Sequence, residues 1–276
     1  MQGRTGFMKT PGSCPRVVLI CHENDGIDCK GLAAWLACSF CLSGIVLLRD
    51  KPGSTFKKIR REYKRVGLLR LIDVLLFRLF YRLRYSRSDQ AWAEKTLQSL
   101  LKKYPANTDA IETITVFNPN DDRVRYFLER LQPDLTIARC KFILKPAIFD
   151  IARTGTFVMH PGICPEYRNA HGCFWALVKR DLKHVGMTLL KVDAGIDTGT
   201  VYLHSSYSFD ETHESHIVIQ YRVVLENLQR ITNVLYDIYN ASATPVKRPC
   251  HFSRAWGQPW LTAYLYWKLS ARGVLA

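Results

Sequence analysis

Thr156-Phe157-Val158-Met159-His160 runs directly into Pro161-Gly162-Ile163-Cys164-Pro165-Glu166-Tyr167-Arg168-Asn169-Ala170-His171-Gly172. An apolar run closed by the turn formers Pro161 and Gly162 predicts a buried strand that ends on His160. Gly172 to Lys179, through Trp175-Ala176-Leu177, then predicts a helix. Further on, Gly186-Met187-Thr188-Leu189-Leu190-Lys191-Val192-Asp193-Ala194-Gly195-Ile196-Asp197-Thr198-Gly199 predicts a strand that empties into a glycine-flanked loop. In an open α/β sheet, ligands bind beyond the carboxyl ends of the strands. His160 is therefore expected to be exposed to a crevice and not buried in the sheet, with Asp197 on a neighbouring loop. A carboxylate beside an imidazole fixes its tautomer and raises its pKa, which suits proton transfer near neutrality.

Outward from this centre the pattern is that of a doubly wound sheet. Arg16 to Cys21 and Gly44 to Arg49 are short apolar strands flanking a helix over Gly31 to Cys41, a βαβ opening. No G-x-G-x-x-G follows the first strand, so a dinucleotide site is not supported. Glu112 to Phe117 and Asp134 to Arg139 predict strands around a helix over Asp122 to Leu131. Val185 to Val192 and Thr200 to Tyr207 predict two more strands. Glu214 to Tyr239 predicts one long helix, because Ile217, Tyr221, Val224, Leu228, Ile231, Leu235 and Ile238 keep a four-three spacing.

A chain of 276 residues with 47% hydrophobic content can bury a sizeable core and is not globally disordered. Its net charge of +15 points to an anionic partner or to a basic, soluble surface. The nine cysteines are an odd count. Cys38 and Cys41 lack a second pair at zinc-finger spacing, so free thiols in a reducing cytoplasm are expected. Residues 1–15 read as a loose tail, 16–242 as the α/β domain, and 243–276 as an aromatic, basic extension. That extension could line a substrate site, touch a membrane or cover the sheet.

Residues 54–104 read as a helical insertion. Lys57, Lys58, Arg60, Arg61, Lys64 and Arg65 form a basic run, and Leu68 to Arg84 mixes leucines with arginines. Charges recur too often for a spanning helix. Two readings stand: an interfacial helix on an anionic membrane surface, or a helix packed against this protein or a second copy in a homodimer, with its arginines snorkelling.

The two central segments together resemble the catalytic core of the 10-formyltetrahydrofolate-dependent formyltransferases. The resemblance runs from Leu144 to Gly199, extends weakly to the first strand and the last long helix, and leaves out residues 54–104 and the aromatic extension. It implies a Rossmann-like, doubly wound, mostly parallel α/β fold and formyl transfer from 10-formyltetrahydrofolate to an amine, with no metal. His160 would stabilise the oxyanion or shuttle the amine proton, and Asp197 would orient it. Phe142, Ile143 and Leu144 would line the pteridine with Val192, Asp193, Gly195 and Ile196. Pro161, Gly162, Arg168 and His171 would meet the acceptor.

In the family an asparagine two positions before the histidine donates to the oxyanion, and here that position is Val158. Asn169 is the expected replacement, with His171 as a second candidate. The long carboxy-terminal domain of the transfer-RNA formylating members is not expected, so nucleic acid is disfavoured as acceptor against an amino sugar or other small amine. The alternatives are a relative that binds folate without transferring formyl, and an adaptor for membranes or nucleic acid built on residues 54–104.

Overall fold

In the computed structural model, seven strands form one sheet in the order β3-β2-β1-β4-β5-β6-β7. They are β1 (Arg16–His22), β2 (Cys41–Leu48), β3 (Thr113–Val116), β4 (Leu135–Arg139), β5 (Gly155–His160), β6 (Met187–Lys191) and β7 (Val201–Ser205). The first five are parallel, and β6 and β7 close the sheet antiparallel to β5. The sheet is the mostly parallel one expected. The structure describes residues 14–51, 53–247 and 252–274, without the side chains of 54–58. Of the expected amino-terminal tail, 1–13 lie outside the described residues.

Strand order reverses between β1 and β4, and this reversal opens a crevice at their carboxyl ends. Alternate residues of β1 feed two cores. Val17, Leu19 and Cys21 face α1 (Ala33–Ser39) and the later helices, whereas Val18 and Ile20 face α4 (Asp122–Leu131) and the short α5 (Pro146–Phe149). A π-helical turn over Ile27–Leu32 precedes α1 and carries Asp28 into the crevice.

The insertion folds as two helices, α2 (Ser54–Arg84) and α3 (Ser86–Lys103). Gly67, at φ 78°, breaks α2 into two arms, a backbone position that favours glycine. Leu71, Val74 and Phe77 bury one side of its second arm, and Leu68, Leu69, Ile72, Leu76, Leu79 and Leu83 lie exposed. The helix is thus apolar on two sides.

Beyond β5 come α6 (Gly172–Val178), α7 (His216–Leu225), α8 (Leu228–Tyr239) and α9 (Leu261–Ala271). The long helix expected over 214–239 is two, broken at Asn227. That side chain donates to the Val223 and Ser206 carbonyls and accepts from the Ser205 hydroxyl. Local side-chain bonds of this kind compete with the helical ladder, and the hydrophobic spacing runs through the break without registering it.

Candidate active site

His160 closes β5 in register with Thr188 of β6. Thr188 Oγ1 donates to the Gly162 carbonyl (2.7 Å) and accepts from the Cys164 backbone N–H (2.9 Å), which pins the start of the following loop. The loop then folds back over the histidine, whose Nε2–H donates to the Tyr167 carbonyl at 2.9 Å. Glycines make the approach possible: a Cβ on Gly162 would meet the Tyr167 oxygen at 2.6 Å and His160 Nε2 at 2.8 Å. His160 is consequently only 4% exposed. The expected crevice-exposed histidine is instead roofed by its own loop.

The remaining ring nitrogen, Nδ1, faces Asp197 Oδ2 at 3.6 Å. That separation is too long for a direct hydrogen bond, so the carboxylate acts on the ring by charge alone. Asp197 stands in the left-handed region (φ 51°) on its loop. Its Oδ2 accepts from the Asn169 backbone N–H at 2.7 Å. Burial opposes charge on the His160 ring, but Cys164, Asp197 and the hydrogen bond to Tyr167 overcome it and push the pKa up to about 10. The ring is a cation at neutral pH.

Asn169 does not take the role expected of it. Its amide Nδ2 donates to the Trp256 carbonyl (2.6 Å) and its Oδ1 accepts from the Ala170 N–H (2.8 Å). Asn169 therefore positions Asp197 through its backbone and binds the carboxy-terminal segment through its side chain. Val158 packs in the apolar cluster that also holds Leu144, Cys140 and Val192.

Phe142, Ile143 and Ile196 are exposed around this apolar floor, and Leu144 is buried in it. Asn120 holds the first loop, donating to the Ile143 carbonyl and accepting from the Lys145 N–H. Asp193 turns its own loop by accepting from the Gly195 N–H and the Thr198 hydroxyl, so its carboxylate is structural. Apolar walls with exposed edges fit a flat heterocycle. Arg168 donates to the Ile196 carbonyl (3.0 Å) and joins the two loops. Pro161 accepts from the Cys173 N–H.

His171, at the start of α6, turns away from the pair into a cavity of about 300 Å³ lined also by Phe77, Arg78, Tyr81, His216, Gln258 and Pro259. Burial, aided by Lys141 and Arg78, lowers the His171 pKa to about 3, and burial beside His171 and Lys268 holds His216 well below its ordinary value. Both rings are neutral there, each with a buried Nδ1 that has no protein partner.

Three groups were not anticipated from the sequence. The Thr188 clamp was hidden inside a strand. A buried ion pair, Arg139 to Asp28 (3.2 Å), spans the crevice floor, with Arg139 also donating to the Met159 carbonyl. Burial outweighs Arg139 and raises the Asp28 pKa to about 6. Trp256 stacks between Tyr167 (5.7 Å) and Trp175 (5.1 Å), and its Nε1–H donates to the Glu166 carbonyl. The carboxy-terminal segment thus covers and clamps the loop that follows His160.

Residues 88–235 match the family model described as formyl transferase. The chain belongs to the formyl transferase family. The matched region begins inside α3 and leaves β1, β2 and α2 before it. Methionyl-tRNA formyltransferase of Dehalococcoides mccartyi (strain CBDB1) is 35% identical over 106 residues, covering 37% of this chain and 34% of that protein. The same-named protein of Flavobacterium johnsoniae is 27% identical over 156 residues, 52% of this chain and 49% of that one. The chain thus spans about a third to a half of the length of these relatives. Among solved structures, phosphoribosylglycinamide formyltransferase from Anaplasma phagocytophilum superposes with a TM-score of 0.52 at 14% identity, covering 83% of this chain and 89% of that one. A sugar N-formyltransferase from Shewanella sp. gives 0.53 at 13%, covering 93% and 87%. At such identity these neighbours speak for the fold.

Proposed function

We propose that the protein transfers a formyl group from 10-formyltetrahydrofolate to the amine of a small acceptor. The observation that carries this reading is the His160–Asp197 pair, held across a 3.6 Å gap at the strand ends beside an apolar, exposed-edged floor. The acceptor nitrogen attacks the formyl carbon, the bond from that carbon to the folate nitrogen breaks, and one proton passes from the amine to the departing nitrogen. His160, charged and shielded from water, stabilises the developing oxyanion, and Asp197 balances it while the pair relays the proton. A fixed cation in a dry site takes over work that a neutral amide does in the resembling enzymes, and Val158 leaves the floor apolar for the pteridine.

We assign the cavity of His171, His216 and Arg78 to the non-reacting part of the acceptor. Two neutral imidazoles among aromatic walls suit a polar ring, and the exposed Arg78 suits an anionic substituent. Amino sugars carrying an acidic group meet this description. The relatives' transfer-RNA substrate is not carried over, because the shared region is only part of those proteins.

A second reading, a relative that holds folate without transferring formyl, is favoured by Val158 and by the engagement of the Asn169 amide with Trp256. Incubation with 10-formyltetrahydrofolate and a panel of amines, following tetrahydrofolate release, separates the two. Release that His160→Ala reduces by about a hundredfold to a thousandfold or more supports transfer. Folate binding without release from any amine supports the second reading.

A further inference from the structure

The second arm of α2 carries an outer face that nothing in the fold covers. Leu69, Ile72, Leu76, Leu79 and Leu83 follow three-four spacing along it, and Leu69 and Leu83 are 85% and 79% exposed. Leu71, Val74 and Phe77 already use the opposite side for the core, so this stripe is not the helix's packing face. Beside it α9, which packs on α2 through Tyr264 and Phe80 (5.6 Å) and through Thr262 and Asp73, exposes Leu265, Tyr266 and Leu269. Large apolar side chains left exposed in such number on neighbouring helices mark an interaction site.

The charges around the stripe select the occupant. Ser54–Arg84 contains ten lysines and arginines against two carboxylates. Both carboxylates are engaged within the helix, Glu62 by Arg65 and Asp73 by Arg70. Arg78, Arg82 and Arg84 are exposed along the borders of the stripe, and Arg60, Arg61 and Lys64 are exposed on the first arm. A second copy docked through this face would set these cations against their own counterparts. The stripe also runs for little more than two heptads, short of a stable coiled coil. An anionic bilayer satisfies both features, taking the leucines among its acyl chains and the arginines at its headgroups. No described helix is long and apolar enough to cross a membrane.

We propose that the outer face of α2, extended by α9, docks the protein on an anionic lipid surface, with the helix lying in the plane of the interface. The docking is independent of the formyl-transfer reading. It rests on residues outside the matched family region.

The test is co-sedimentation of the full chain with vesicles of phosphatidylcholine alone and of phosphatidylcholine with phosphatidylglycerol, beside sedimentation velocity without lipid. The expected result is binding to the phosphatidylglycerol vesicles only, weakened at least about tenfold by half-molar salt. Leu76→Glu with Leu83→Glu, two exposed positions whose replacement leaves the fold and its melting temperature intact, is expected to weaken binding at least about tenfold. Arg82→Glu with Arg84→Glu is expected to do the same, since each basic residue at such a surface contributes about fivefold. Three results would overturn the proposal: no binding to anionic vesicles, binding untouched by the leucine pair, or a lipid-free dimer that the leucine pair dissociates.

Discussion

Acidification from pH 6.5 to 5.5 should cost the fold about 1 kcal/mol, and His216→Phe should remove that loss. His171 and His216 are neutral in the folded state, one with a pKa near 3 and the other well below its ordinary 6.5. The unfolded chain binds their protons as pH falls through 6.5 and the folded chain does not. Each histidine therefore withdraws about 1 kcal/mol of stability over that unit. Two groups act in the opposite direction. Asp28, raised to about 6, is protonated in the folded state before the unfolded one and returns part of that loss. His160, raised to about 10, returns a smaller part over the same interval, and together they offset about 1 kcal/mol. Carboxylates of ordinary pKa titrate below this window. Phenylalanine keeps the ring contacts of His216 with Phe77 and Phe174, both at 5.4 Å. Urea denaturation at the two pH values reads the difference, and each protein serves as its own reference, so any constant effect of the substitution cancels. A variant that loses as much stability on acidification as the parent would refute the assignment of a neutral, buried His216.

On the alkaline side the His160 contribution continues in the same direction and grows steeper. Stability present below pH 6.5 is expected to decline by up to about 1.4 kcal/mol per unit as pH rises towards 10, and His160→Gln should flatten that limb. Val158→Asn restores an amide to the floor; turnover should rise on the order of a hundredfold at a stability cost of about 1–3 kcal/mol for an amide among apolar groups. Unchanged tetrahydrofolate release would show that the oxyanion lies out of its reach. Gly162→Ala, whose Cβ meets Tyr167 O and His160 Nε2, should cut turnover by roughly a hundredfold by displacing the imidazole, with no change in far-ultraviolet circular dichroism. Trp256→Ala should destabilise the protein by about 3–5 kcal/mol, and activity measured well below its melting temperature should fall as well, because the indole stacks on Tyr167 and donates to the Glu166 carbonyl.

The sheet was legible because its strands are short apolar runs punctuated by glycine and proline, and their placement differs from the observed one by a few residues. His160 and Asp197 were legible because turn formers follow one and glycines flank the other. What escaped reading is what depends on the third dimension. The burial of His160 follows from a carbonyl seven residues away that only the folded loop presents. Asn169 was read as a donor from its chemistry alone, but its amide finds the Trp256 carbonyl, 87 residues on, and no local pattern announces that bond. The break at Asn227 eluded the periodicity because both halves keep the same hydrophobic stripe. In α2 the composition showed the leucines and arginines without saying that one apolar side is already spent on the core.

The Trp256 clamp also sets an order of events during synthesis. A ribosome that has completed residues 88–235 has made every strand and the His160–Asp197 pair, but not the indole that stacks on Tyr167 and Trp175. Until Trp256 leaves the exit tunnel, the loop lacks the contacts that hold Asn169 beneath Asp197. The domain can therefore be folded before it is competent. Competence arrives late, with a segment that lies beyond the matched region.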